Sequence, residues 1–254
     1  MSIRSVLPAS LCFALLLAPA AEAKSAADFL DDARDYATSP LRWKSDDWQW
    51  AAGAVASIAA AYTADERVRT HFADPNGSQM GDPHSVRDAA PTIALTLGTL
   101  AFGALRHDET ERRTAYDMME AIALGSASSF VFKSAVARTR PDSTSDRSAW
   151  GRGGDSFPSG HVTAAFAAAQ VFADSRPPGE WHWRALAYSL AAATAYARVS
   201  DNMHWTSDVV AGAALGIATG RFVSGRDDGA RQPRVSFWVA PLDHGAMLSF
   251  SLDP

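Results

Sequence analysis

Three clusters of side chains in this sequence could bind and transfer an anion. Lys133 and Arg140, followed by Pro141, form the first; Ser156-Phe157-Pro158-Ser159-Gly160-His161 the second; Arg198, His204 and Asp208 the third. Each has an ordinary structural explanation when taken alone. Lys133 and Arg140 suit the C-terminal end of a helix, where cations complement the dipole. Ser159 after Pro158 suits a helix N-cap, and a single histidine such as His204 is more often structural than reactive. Together they describe an anion site. A helix opening at Ser159-Gly160 would offer free backbone N–H groups and partial positive charge, and Gly160 would let an anion approach the backbone closely. Lys133, Arg140 and Arg198 could surround it, arginine's planar fork being suited to pairs of phosphate oxygens. The i, i+4 spacing of His204 and Asp208 puts them on one helix face, where a carboxylate can orient an imidazole. That spacing, with His161 as a third ligand, could also hold zinc. Three nearby cations would repel a metal ion, so neither metal nor cofactor is expected. His71, His84, His107, His182 and His244 have no recognisable partner and are assigned no role.

Helices must position these residues. Residues 26–37 read as a short amphipathic helix. Trp48–Ala64 and Ala89–Leu105 are charge-free stretches of 17 residues each. A longer helix starts at the charged Asp108–Arg113 and ends near Arg138. Val162–Ala173, Ala185–Ala197 and Val209–Phe222 follow, their Ala and Leu content favouring helix over strand. Asp74–Gly77, Gly81–Pro83 and Arg176–Gly179 are turn signals. The expected fold is an all-α bundle of about six core helices. After a polar linker beginning at Gly225, residues 235–240 and 246–252 alternate in a strand-like way about a turn at Pro241–Gly245, which predicts a C-terminal β-hairpin.

The chain has 254 residues, 47% of them hydrophobic and 20% charged, enough for one folded domain with a small appendage. A net charge of −5 with no Lys/Arg-rich run argues against nucleic acid as a partner. One charge within Met1–Arg4, an apolar core over Val6–Leu17 and the small-x-small site Ala21-Glu22-Ala23 predict a signal peptide over residues 1–23, with the mature chain starting at Lys24. Export to the periplasm or another extracytoplasmic space follows. Cys12 is the sole cysteine and lies in the signal, so the mature chain has no thiol nucleophile and no disulfide. The expected organisation is a signal at 1–23, a helical domain at 24–224, and a linker with hairpin at 225–254. A spanning helix needs about 20 mainly apolar residues. The two longest charge-free stretches fall short of that and the mean hydropathy is −0.10, so a soluble or peripherally membrane-associated bundle is expected. Oligomeric state is not readable.

The motifs resemble the type 2 phosphatidic acid phosphatase (PAP2) superfamily, which also contains bacterial class A acid phosphatases and vanadium haloperoxidases. Its pattern is K-x6-R-P, then P-S-G-H, then S-R-x5-H-x3-D. The chain matches every spacing over residues 133–208 and departs only at Ala197, where the family usually has Ser. The resemblance implies a metal-independent phosphatase acting through a phosphohistidine. Lys133, Arg140 and Arg198 would hold the phosphate oxygens, with Ser159 and Gly160 donating hydrogen bonds. His204 would attack phosphorus, Asp208 would orient it, and His161 would protonate the leaving oxygen and then activate water. The two histidines would need opposite protonation states at the start, and a slightly acidic pH optimum is expected. Ser156–His161 looks closer to the lipid phosphatases than to the soluble acid phosphatases, which makes phosphatidic acid, phosphatidylglycerol phosphate or undecaprenyl diphosphate candidate substrates. A broad-specificity soluble acid phosphatase is the alternative. A haloperoxidase holding vanadate on His204 would fit the same residues, but such relatives are usually much longer. A purely phosphate-binding or structural protein would have no use for the two histidines.

Overall fold

A computed structural model of the chain describes residues 26–72, 86–227, 235–242 and 245–252. The expected signal sequence with Cys12, and the turns expected at 74–77 and 81–83, lie outside them. The described residues hold seven α-helices: α1 (Ala26–Thr38), α2 (Ser45–Phe72), α3 (Val86–Arg106), α4 (Glu109–Val136), α5 (Gly160–Asp174), α6 (Trp181–Ser200) and α7 (Thr206–Asp227). A 3-10 turn, Ser39–Arg42, links α1 to α2. The all-α class and the order of helices agree with the sequence reading. The helices run several residues past the apolar stretches that announced them, because only the packed middle of a helix needs to be apolar. α2 keeps Asp46 and Asp47 in its first turn and Arg69 and His71 in its last. At the C-terminal end two extended segments, Val235–Leu242 and Gly245–Leu252, align antiparallel with Val235 opposite Leu252.

α5 is the axis of the bundle. Its alanine-rich sequence is apolar on every side, as befits a helix covered all round. Ten of its 15 residues are buried, including Val162, Ala165, Ala167, Ala168, Ala169 and Phe172. α4, α6 and α7 surround it, contributing Met118, Ala121 and Leu124, Ala187 and Ala191, and Val223 to the same core. α7 comes closest. A Cβ added at Gly212 would lie 2.6 Å from the Ser159 carbonyl oxygen, one at Gly216 2.4 Å from that of Thr163, and one at Gly220 2.8 Å from that of Ala167. These glycines recur every four residues, so one bare stripe of α7 lies against the backbone of α5. That contact joins the chain just after His204 to the N-terminus of the helix that carries His161.

α4 stops where its sequence turns toward the site. Ala137 has φ 49°, and its N–H bonds the Lys133 carbonyl. The loop from 138 to 159 then folds back on itself. Thr139 N–H donates to Ala149 O, Gly154 N–H to Ala137 O and Ser156 N–H to Arg138 O. Ser159 N–H reaches the Asp208 carbonyl oxygen at 3.0 Å. The second and third motifs are thus tied through the main chain.

Candidate active site

α5 opens as the sequence predicts, with Ser159 as N-cap in an extended conformation (ψ 110°) and Gly160 as its first residue. The Ser159 side chain does not cap the helix; its hydroxyl oxygen is buried and has no hydrogen-bond partner. A buried, unengaged hydroxyl at a helix N-terminus is a donor suited to an anion. Gly160 lies beside Lys133: a Cβ there would be 3.8 Å from Lys133 Cε.

His204 is buried, and the charges of Lys133, Arg140 and Arg198 all bear on it. Burial first, then those three cations, hold its imidazole well below the usual histidine range, so it is neutral at physiological pH. Its main-chain N–H and that of Met203 both bond the Arg198 carbonyl oxygen at 3.1 Å, fixing this short loop to the end of α6. The eight residues singled out in the sequence gather at one end of the bundle. His204 itself is not helical: it lies in the turn after Asn202 (φ 51°), before α7 begins at Thr206. The expectation that His204 and Asp208 share a helix face is corrected here. The Asp208 carboxylate, in the first turn of α7, accepts the Trp205 N–H at 3.0 Å. Its nearest oxygen is 3.9 Å from His204 Nδ1, too far for a hydrogen bond. Nδ1 instead lies 2.8 Å from the Ser156 carbonyl oxygen. Asp208 accepts the Ser156 hydroxyl at 2.5 Å.

Two of the cations come with carboxylates that the motifs do not mention. Arg198, fully buried, pairs with Asp88 of α3 at 2.5 Å. Arg140 is gripped by Asp155 through Nε at 2.7 Å and Nη2 at 2.9 Å. Lys133 donates to the Asp155 carbonyl oxygen. The Arg140 hydrogen bonds hold the Asp155 carboxyl well below the usual carboxylate range. Lys133 is brought down to about 8, chiefly by burial, with Arg140 and Arg198 adding to the effect and Asp155 opposing it. His161, in the first turn of α5, is brought down to about 4 by burial and then by Arg198. The two histidines were expected in opposite protonation states. Burial first, and then the surrounding positive charge, favours the neutral form of both.

Among known proteins, the family model described as the PAP2 superfamily matches residues 114–227. That stretch runs from α4 to the end of α7 and contains every residue named above except Asp88. The lipid A 1-phosphatase of Porphyromonas gingivalis is 40% identical over 92 residues, which is 35% of this chain. The matched stretch is 18% of that relative's length. No solved structure matches the chain.

Proposed function

We propose that this chain, whose residues 114–227 match the family model described as the PAP2 superfamily, is a metal-independent phosphatase that hydrolyses phosphate esters through a phosphohistidine on His204. The observation that carries this reading is the buried, neutral His204 under three cations, next to the open N-terminus of α5. Lys133, Arg140, Arg198, the Ser159 hydroxyl and the first N–H groups of α5 bind the phosphate oxygens and stabilise their charge in the transition state. A phosphate dianion opposes the effect of burial and cations on His161, so this group takes up a proton as substrate binds. His204 Nε2 then forms a bond to phosphorus as the bond to the leaving oxygen breaks, and His161 hands that oxygen its proton. In the second step His161 accepts a proton from water, the water oxygen bonds to phosphorus, and the P–N bond breaks to restore neutral His204. Because the acid form of His161 is scarce in the free enzyme above about pH 4, kcat/KM falls as pH rises and the optimum is acidic.

The substrate we propose is a phosphorylated lipid. Three exposed apolar residues near the end of α4, Phe130, Val131 and Phe132, immediately precede Lys133, and the exposed Trp150 lies in the loop that follows α4. They would give an acyl chain apolar surface beside the phosphate. The similar protein's being a lipid A phosphatase supports the same class. We also propose export after removal of residues 1–23, a catalytic unit over 24–224, and a terminal β-hairpin outside it.

The test is hydrolysis of p-nitrophenyl phosphate and of a panel of lipid phosphates by the purified protein, with and without EDTA. Activity should survive chelation. Rapid quenching should trap an acid-labile phosphoenzyme, and His204→Ala should lose both label and turnover. His161→Ala should lower turnover by about 10²–10⁴-fold and accumulate label with p-nitrophenyl phosphate, whose leaving group needs no acid. Label that persists in His204→Ala and vanishes in His161→Ala would reverse the two roles. Activity lost to EDTA and restored by a divalent metal would refute the anion-site mechanism.

A further inference from the structure

Arg138 lies between the two cations of the first motif and points the other way. It is fully buried, and all five of its N–H donors are engaged. Nη1 bonds Asp208 Oδ1 at 2.5 Å and Ser207 Oγ at 2.8 Å. Nη2 bonds Asp65 Oδ2 and Arg147 O, both at 2.8 Å, and Nε bonds Arg147 O at 3.2 Å. Its guanidinium carbon lies 4.2 Å from the ring centre of Trp150, 5.1 Å from Trp205 and 5.4 Å from Tyr62. Asp65, buried on α2, accepts the Ser207 N–H at 2.9 Å and its hydroxyl at 2.6 Å. It thereby grips the first turn of α7 directly and also through Arg138.

On the side facing the site, Asp208 spends one oxygen on Arg138. The other accepts the Ser156 hydroxyl and the Trp205 N–H. The Ser156 carbonyl oxygen receives His204 Nδ1. A carbonyl can only accept, so this bond puts the imidazole proton on Nδ1 and leaves the lone pair on Nε2. We infer that Arg138, Asp65 and Ser156 form a positioning assembly that sets the tautomer and aim of His204, with Asp208 acting on the imidazole through Ser156 and not by direct contact. None of the three touches the anion site. The inference rests on the reading of His204 as nucleophile.

Three variants of the full chain test it: Ser156→Ala, Asp65→Asn and Arg138→Lys. Ser156→Ala keeps the carbonyl and removes only the link to Asp208. Loss of outer hydrogen-bond partners typically lowers activity about 10–100-fold, and we expect that loss in kcat. KM should stay within about twofold, because Lys133, Arg140 and Arg198 are untouched. Side-chain 15N shifts of His204 should show the Nδ1–H form in the parent and a mixture of tautomers in Ser156→Ala. Arg138→Lys should rescue little, since an ammonium cannot hold two carboxylates in a planar fork. A folded Ser156→Ala or Asp65→Asn protein with parental kcat and tautomer would overturn the inference, as would a raised KM at unchanged kcat. If Arg138→Lys fails to fold, the other two variants decide. Parallel measurement of His204→Ala separates the failures. Activity surviving in His204→Ala sinks the nucleophile itself, whereas a dead His204→Ala beside fully active Ser156→Ala and Asp65→Asn sinks only the assembly.

Discussion

Lys133 differs from the two arginines beside it in being able to lose its charge within reach of neutral pH. Burial and its cationic neighbours bring it down to about 8, so in the free protein it is protonated below that value and neutral above it. Inorganic phosphate is already a dianion there and changes no further. Its inhibition constant should therefore show a break near pH 8 and weaken more steeply above it, on top of the change that proton uptake by His161 and phosphate's own ionisation cause at lower pH. Lys133→Arg should abolish the break, because a guanidinium stays charged; an unchanged break in that variant would show that another group titrates. The cations themselves were legible in the sequence, because the motif spacing and the chemistry of an anion site point to the same residues. Their carboxylate partners were not. Asp65 closes the charge-free run ending at Ala64, and Asp88 precedes the one starting at Ala89. A lone acid at the edge of an apolar helix is a usable signal, but only the packing of α2 and α3 shows which cation each one meets. Asp155 and Ser156 sit in an irregular loop whose path no periodicity encodes. The relation of His204 to Asp208 was misread for a related reason: i, i+4 spacing implies a shared face only where both residues are helical.

The helices were legible because alanine and leucine runs with charged ends have few other folded uses. What the runs did not show is which helix lies at the centre, or how closely two of them approach. The glycine stripe of α7 answers the second question. A side chain at Gly216 would meet backbone of α5, with the Ala167 nitrogen 2.9 Å from the new Cβ as well as the Thr163 oxygen. Backbone cannot rotate aside as a side chain would. Gly216→Val should thus force the helices apart and cost about 1–3 kcal/mol, lowering the melting temperature by about 2–12 °C for a domain of this size. Activity should fall with it, since the same contact aligns Asp208 with the start of α5. Gly53, on the open side of α2 with nothing within 4 Å of its would-be Cβ, is the control. There alanine removes a helix-weakening glycine and should hold or raise the melting temperature. Equal destabilisation at both positions would mean that helix propensity matters more here than the contact with α5.

At the scale of the whole molecule, the proposal of a lipid substrate turns on how the bundle would meet a membrane. α3, over Arg87–Arg106, is long and apolar enough by length and composition to cross a membrane, and 28% of it is buried in the fold. Ile93, Phe102 and Leu105 stand exposed on it, as Trp48 and Val55 do on α2 and Trp181, Trp183 and Leu186 on α6. These faces invite contact with a lipid surface. They do not share one hydrophobic thickness. The charge-free runs of α2 and α3 hold 17 residues each, about 26 Å of helix, whereas that of α6, from Ala185 to Ala197, gives about 20 Å. The hydrocarbon core of a bilayer is about 30 Å. α3 also turns Asp88, Thr92, Thr96 and Thr99 inward to the bundle, so its polar face is covered by protein while its apolar face is left outside. A bundle resting on the membrane, with aromatic side chains in the headgroup region, fits these lengths better than one spanning it. Fractionation followed by a carbonate wash should find the protein soluble or release it from membranes, and its N-terminus should read Lys24. Removing the exposed aromatic rings, as in Trp181→Ala with Trp183→Ala, should shift it toward the soluble fraction while leaving p-nitrophenyl phosphate hydrolysis intact, because neither ring is near the site residues in sequence or in the motif loops. Release by detergent alone would mean that the bundle is integral to the bilayer, and that a lipid phosphate would reach His204 from within the membrane.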